Sequence, residues 1–389
     1  MNFKEAMQIC NLIKKENGDV RFIGGCVRDA LLEKEICDID LATNLLPEEV
    51  ENILSKNNIK FYSIGKDFGT ITGIIGDKKI EITTLRKDLN CDGRHAQVSY
   101  TDSWKEDAER RDFTINAMSM DLDGEIHDYY SGVEDLRNKK VRFIGDAEKR
   151  ICEDYLRILR FFRFSAYFNN IDQEGLEACN KFASNLKNIS VNRIKLELSK
   201  IFLSQNAEYI LPFMEIVLSQ VFPLKENPNN FLKKLFKITS IFKEKLNDLI
   251  FFASLILHCD KSNTLIDNFS FSNNEKSYLK LLINARITSW DYSSLKQSWC
   301  EYKTAFKEVV LLNLAAESLV PDEQLITNLE KLFSIEIKEL PIRGRDILKL
   351  GIESGKNVGK LLNYANQIWY DQEFKITPKK LLEKIYDRL

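Results

Sequence analysis

The spacing of apolar residues changes character near residue 145 of this 389-residue chain, and no other feature restricts the fold as much. Before that point, short runs of period two alternate with segments of period 3.6; after it only the helical period continues. Residues 1–15 read as a helix, Val20–Ile23 as a strand ending at Gly24-Gly25, Cys26–Glu33 as a helix and Ile36–Ala42 as a strand. Pro47–Ser55 is a helix opened by proline, and Phe61–Ile64, Gly69–Ile75 and Lys79–Leu85 are three further strands. Arg86–Asp102 is polar and without period, so it reads as a long loop, a kind of segment that is usually functional in a compact domain. From Lys105 the pattern turns helical through RRDFTINAMSM, with one short β-like interruption at GEIHDYY. The expected fold is α+β, with a mixed-sheet head over 1–140 followed by a helical neck (141–205), body (206–335) and tail (336–389). Pro223–Pro228 and Ser334–Pro341 are candidate joints between helical parts. VRFIG occurs at 20–24 and again at 141–145, but the flanks differ and no repeat architecture follows.

Bulk properties narrow the class without choosing a function. Hydrophobic residues at 44% and charged residues at 29% are ordinary for a globular protein. A formal net charge of −2 gives no global attraction for nucleic acid, so any RNA contact must use local basic patches. The eight cysteines are scattered with no C-x-x-C pair, which suits reduced thiols better than disulfides or a zinc site. The N-terminal segment is amphipathic and lacks a signal-peptide core, and no apolar run reaches membrane-spanning length. A cytoplasmic protein is expected, with no membrane contact and no evident obligate protein partner.

Chemistry-bearing residues gather in FIGGCVRDALLEKEICDIDLATN, residues 22–44. Gly24 and Gly25 at a strand end can expose backbone N–H groups to a phosphate beside the positive end of a helix, with Arg28 one turn further on. Asp38 and Asp40, two apart on the next strand, project from one face. Side-by-side carboxylates are unfavourable unless a cation neutralises them. Mg²⁺ does this well, and two ions ~3.5–4 Å apart clamp the attacking and leaving oxygens of phosphoryl transfer. Taken alone, Asp-x-Asp reads more readily as a solvated strand face with a turn glycine before it than as a metal site.

Together, Gly-Gly, Arg-Asp, Asp-x-Asp and Thr43 at these spacings resemble the first motif of the nucleotidyltransferase superfamily. The branch is that of bacterial tRNA nucleotidyltransferases (CCA-adding enzymes) and bacterial poly(A) polymerases. Further blocks match in order across residues 20 to about 200. Glu81 falls where the family keeps a third metal-side carboxylate. RRDFTINAM, with Arg110, Arg111, Asp112 and Asn116, is similar to the block that contacts nucleotide sugar and triphosphate. DYYSGVEDL, with Asp128, Gly132, Asp135 and Leu136, resembles a hinge-like block. EDYLRILRFFRF from Glu153 resembles the nucleotide-selecting motif, and Ser190 to Glu197 a helix-supporting one. IRGRDILKLGIESGKNVGKLL is similar to the tRNA-holding tail.

The resemblance implies catalysis by Asp38, Asp40 and Glu81, with Asp38 and Asp40 holding Mg²⁺. It implies nucleotide binding by the Gly24-Gly25 turn, Arg28, the RRDFTINAM residues, Asp154, Arg157, Arg160 and Arg163. Asp154 and Arg157, at i and i+3, share a helix face, and Arg157 also pairs with Glu153. Acceptors and donors held side by side are what reading C or A without a template requires; an ordinary surface ion pair has the same spacing. The implied reaction is in-line attack of the tRNA 3′-hydroxyl on the α-phosphate of CTP or ATP.

Some signals are set aside. His258-Cys259-Asp260 reads as the end of a buried helix carrying a core histidine, and the Gly351, Gly355, Gly359 series lacks the Walker spacing. Glu33 stands where many relatives have glycine, so the turn after the first motif is expected to be capped differently. Full CCA addition ranks first among products, with poly(A) or A-only addition second; the 86–102 loop, with DGRHAQVSYT, resembles the element used for switching from C to A and argues against a CC-only enzyme. An inactive RNA-binding scaffold is disfavoured by the intact carboxylates, and a small-molecule nucleotidyltransferase by the long helical half.

Overall fold

A computed structural model describes residues 4–387 apart from 37, 91–96, 261, 337 and 353–354. The chain forms two compact units, Met1–Pro223 and Leu224–Leu389. The first unit opens with helix α1 (Lys4–Lys15), strand β1 (Val20–Ile23), α2 (Gly25–Leu31), β2 (Ile39–Thr43), α3 (Pro47–Lys56), β3 (Lys60–Tyr62), β4 (Thr70–Ile75) and β5 (Lys78–Thr84). It continues with β6 (Arg86–Asn90), β7 (Gln97–Tyr100), α4 (Trp104–Glu109), β8 (Ser119–Met120), β9 (Ile126–His127) and α5 (Gly132–Arg137). Helices α6 (Ala147–Glu153), α7 (Leu156–Phe168), α8 (Gln173–Phe182) and α9 (Val191–Phe202) follow.

Seven strands make one mixed sheet in the order β3-β4-β5-β2-β1-β8-β9. β2 runs parallel to β5, with Asp40 opposite Glu81, while β1 is antiparallel to β2. Alternation fixes these faces: Leu41 and Ile82 are buried, and Asp40 and Glu81 occupy the other side of the pleat. α1 and α3 cover the apolar side with Ile9, Ile13, Val50, Ile53 and Leu54. Gly73 admits them closely, since a Cβ there would lie 2.9 Å from the Ile9 Cδ1.

Three expectations are corrected. The strand expected over Ile36–Ala42 is Ile39–Thr43, because pairing with β5 begins at Ile39 opposite Ile80. The 86–102 segment is not a loop throughout: β6 and β7 pair as a separate two-stranded sheet with a register shift between Asp88 and Asn90. Such a ribbon has no broad face to bury, so its strands need no apolar alternation. Residues 91–96 of the proposed switching element lie outside the described residues. RRDFTINAMSM is not helical: α4 ends at Glu109, a 3₁₀ turn covers Thr114–Asn116 and the chain enters β8.

Phenylalanines join that segment to the helices. The Phe113 ring lies 4.8 Å from Phe143, 6.4 Å from Phe161 and 5.5 Å from Phe164. The second VRFIG thus supplies a core ring, Phe143, in this fold, and Phe113 and Phe143 also share a β-bridge. α7 buries Ile158, Leu159, Phe161 and Phe162 completely, each contributing roughly 1.5–3 kcal/mol.

In the second unit, helix Asp248–Leu257 is buried on nearly all sides and packs on helices Asn273–Asn284 and Phe306–Glu317. His258 ends it as a structural histidine: Nδ1 lies 2.7 Å from the Ser254 carbonyl and the ring packs edge-on against Phe231. Near the C-terminus Ile342, Ala365, Ile368, Leu381 and Ile385 form a small core. Among the described residues, no helix is long and apolar enough to cross a membrane.

Glu33 closes α2 in the left-handed region, at φ +55°. Its N–H donates to the Ala30 carbonyl and that of Lys34 to the Asp29 carbonyl, the pattern in which glycine is usual. Glu33→Gly is therefore expected to raise stability by about 0.5–1 kcal/mol, measured as a higher urea midpoint with an unchanged slope.

Candidate active site

The site is built where β1, β2 and β5 lie side by side. β1 ends at Gly24, whose backbone (φ +68°, ψ −126°) is open to glycine and strained for other residues. A Cβ there would also stand 3.2 Å from the Arg111 Nη1. Asp40 sits on β2 with Glu81 beside it on β5 and Asp38 one residue before the strand; Asp38 and Glu81 are exposed and Asp40 is half-buried. Burial first, then the negative charge of Glu81 and to a lesser degree that of Asp38, push the Asp40 carboxyl up to about 6, with Arg111 opposing. The trio is thus electrostatically frustrated as an all-anionic set, and its donors are all oxygens. That suits a hard divalent cation.

Next to Asp40 lies an open pocket of about 680 Å³. It is lined by Gly24, Gly25, Arg28, Asp40, Arg111, Asp112, Asn116, Asp154, Arg157, Arg160, Arg163, Phe164, Tyr167, Lys200 and Ser204. Six of these side chains are cationic and three are carboxylates, so the pocket is basic on a chain whose formal charge is −2. Eleven of the fourteen site residues inferred from sequence line it; Asp38, Glu81 and Arg110 do not, though Glu81 pairs in register with Asp40 and Asp38 lies two residues before it.

Each arginine is anchored. Arg28 forks onto Asp29 at 2.9 and 3.0 Å and donates to the Asn116 Oδ1 at 2.7 Å. Arg111 donates to the buried Asp107 at 3.0 Å. Arg160 donates to Asp112 at 2.7 Å, and Arg163 pairs with Glu197 at 3.0 Å. Burial alone would raise the Asp112 carboxyl, but the Arg160 charge and hydrogen bonds from Asn116, Arg160 and the Phe113 N–H hold it below the usual carboxylate range. The guanidiniums of Arg28, Arg160 and Arg163 lie 5.0, 5.6 and 4.5 Å from the Phe164 ring centre, so one aromatic ring is shared by three cations. Arg110 is placed differently. It is turned onto Asp107 at 2.7 Å and the Arg86 carbonyl at 3.1 Å, and it is absent from the pocket lining among the described residues.

The Asp154–Arg157 pair also differs from expectation. α6 ends at Glu153 and Asp154 is extended (φ −150°, ψ 105°), so the two residues do not share a helix face. Asp154 instead receives Arg193 at 2.8 Å, while Arg157 pairs with Glu153 at 2.6 Å as the i,i+4 spacing predicts. Both still line the pocket. Sequence reading passed over Phe164, Tyr167, Lys200 and Ser204, although Phe164 and Tyr167 continue the Arg160 stripe at i+4 and i+7. Away from the pocket, Asp121, Glu125 and His127 on the β8–β9 hairpin place their ligand atoms within 4.8 Å of one another.

Comparison with known proteins agrees with this geometry. A family described as "Poly A polymerase head domain" matches residues 20–142, and one described as "Probable RNA and SrmB- binding site of polymerase A" matches 170–215. The chain is a nucleotidyltransferase, a metal-dependent class, with the head domain of that class. The human mitochondrial CCA tRNA nucleotidyltransferase 1 is 34% identical, with 98% of this chain and 90% of that protein covered. The CCA-adding enzyme of Streptococcus uberis is 32% identical over 92% of this chain and 90% of its own length. The crystal structure of the Bacillus stearothermophilus CCA-adding enzyme in complex with CTP superposes with a TM-score of 0.74 at 26% identity, covering 99% of this chain and 98% of that one. The chain belongs to the CCA tRNA nucleotidyltransferase family.

The raised Asp40 carboxyl has a consequence for the metal-free protein. Between about 4 and about 6 the folded chain keeps a proton that the unfolded chain has lost, so stability falls as pH rises through that window. Above it the full cost stands. Asp40→Asn is expected to stabilise the EDTA-treated protein by about 1–3 kcal/mol near pH 7.5, with little effect near pH 4; thermal melts at the two pH values check this.

Proposed function

We propose that this chain adds C, C and A in turn to the 3′ end of tRNA, from CTP and ATP and without a template. The observation that carries the reading is one basic pocket lined by Asp40 of the sheet, which has Glu81 beside it on β5, and by Asp154 and Arg157 at the α6–α7 junction. It is supported by relatives along nearly the whole chain that are named CCA-adding enzymes.

Arg28, Arg111, Arg160 and Arg163 neutralise the triphosphate, and their carboxylate anchors keep them aimed without reorganisation during the reaction. Gly24 and Gly25 leave room for phosphate oxygens to approach the backbone. Asp154 offers carboxylate acceptors. Arg157 uses Nη1 on Glu153 and the Arg150 carbonyl and one Nη2 hydrogen on the Arg110 carbonyl, which leaves Nε–H and one Nη2–H for a base edge. Asp38 and Asp40 would hold Mg²⁺, with Glu81 on the primer side. Bound there, the metal supplies positive charge to the α-phosphate and the attacking hydroxyl. Positioning of the 3′-hydroxyl in line with the leaving pyrophosphate is then the protein's main contribution. The described cysteines are free thiols, which supports a cytoplasmic setting.

Incubation with tRNA lacking its terminus and with each nucleotide singly and in pairs, followed by sequencing, is expected to give C, C, A and then arrest. A single A or a long A tract would assign A-only or poly(A) addition instead. Asp38→Ala is expected to lower incorporation more than ~100-fold while tRNA binding, read by filter retention, stays unchanged.

A further inference from the structure

Arg150 is used by neither the sequence reading nor the reaction scheme, yet it touches both halves of the site. It stands in the last turn of α6 with its side chain 12% exposed. Its Nη2 donates to two main-chain carbonyls, those of Arg110 at 2.6 Å and Arg111 at 2.5 Å. Its Nη1 pairs with the Glu153 Oε2. Arg157 holds the same Glu153 oxygen and the same Arg110 carbonyl, and donates to the carbonyl of Arg150 itself at 2.7 Å.

Two like-charged guanidiniums are thus held side by side by a common frame of one carboxylate and backbone carbonyls. The frame is continuous with the chemistry: the clasped carbonyls belong to Arg110 and Arg111, and the Arg111 side chain lines the pocket and acts electrostatically on Asp40. A planar fork is needed to meet two carbonyls and a carboxylate at once, and an ammonium cannot reproduce it.

We propose that Arg150 is a positioning residue for nucleotide choice, holding the remaining donors of Arg157 at a fixed angle to the backbone that carries the triphosphate-binding arginine. This rests on the CCA-adding reading above. Without the clasp, Arg157 keeps its charge and its place in the pocket but loses its fixed orientation. Hydrogen-bonded discrimination between bases is then lost faster than binding or rate, because a site that reads by fixed donors rejects wrong partners only while those donors are held.

The test uses the full chain and tRNA lacking its terminus, with kcat and KM measured for CTP and for UTP in the wild type, Arg150→Gln and Arg150→Lys. Thermal melts establish that each protein is folded, and Arg150→Lys, which keeps the charge, is the milder change. The ratio of kcat/KM for CTP over UTP is expected to fall by about tenfold or more in both variants, with a smaller fall in kcat for CTP. A ratio within about twofold of the wild type in a folded variant, whatever the absolute rate, would reduce Arg150 to a structural ion pair. A wild type that does not prefer CTP would instead remove the CCA-adding reading itself.

Discussion

Carboxylates at matched positions of two adjacent parallel strands repel one another, and the rest of this structure is arranged around that repulsion. Asp40 and Glu81 face each other across β2 and β5, with Asp38 close by, and Asp40 is half-buried. Packing cannot relieve such a contact, because moving either strand by one residue would turn Leu41 and Ile82 out of the core. The strain is fixed by the same alternation that builds the sheet. Part of the relief comes from the positive charge of Arg111, and a divalent cation is what would supply the rest.

The helices answer that negative cluster with a positive one. Arg28 comes from α2, Arg111 from the segment after α4, and Arg157, Arg160 and Arg163 from one face of α7, and each is tied to a carboxylate. Half-neutralised guanidiniums cost less to hold together than bare ones, and their geometry is set before a ligand arrives. This is how a chain of net charge −2 can bind polyanions: the attraction is local and preformed. Phe164 serves the same end, giving three of the guanidiniums a shared aromatic support.

Much of this was legible in the sequence, for identifiable reasons. The Asp40 and Glu81 neighbourhood follows from period-two alternation, whereas Asp38, which precedes the strand, came from the ordered motifs, which also named most of the pocket lining. The β6–β7 hairpin was not legible, since a two-stranded ribbon leaves no apolar pattern. The break at Asp154 was hidden because EDYLRILRFF has helical spacing throughout; at the break the carboxylate accepts from the Leu156 N–H and from Arg193, 39 residues later in sequence. Arg110 was assigned to the pocket with its neighbour. Asp107, three residues before it, was visible at ion-pair spacing, but nothing in the sequence shows which of two adjacent arginines turns inward. Arg150 escaped for the same reason, as its acceptors are main-chain carbonyls that no residue pattern encodes.

The cation site is assigned to the carboxylates at and just before the central strand β2. Anomalous diffraction from crystals soaked in manganese tests it directly. The account requires a peak within coordination distance of the Asp38 and Asp40 carboxylates. Manganese seated only elsewhere, for instance among Asp121, Glu125 and His127 on the β8–β9 hairpin, with Asp38 and Asp40 empty, would contradict it.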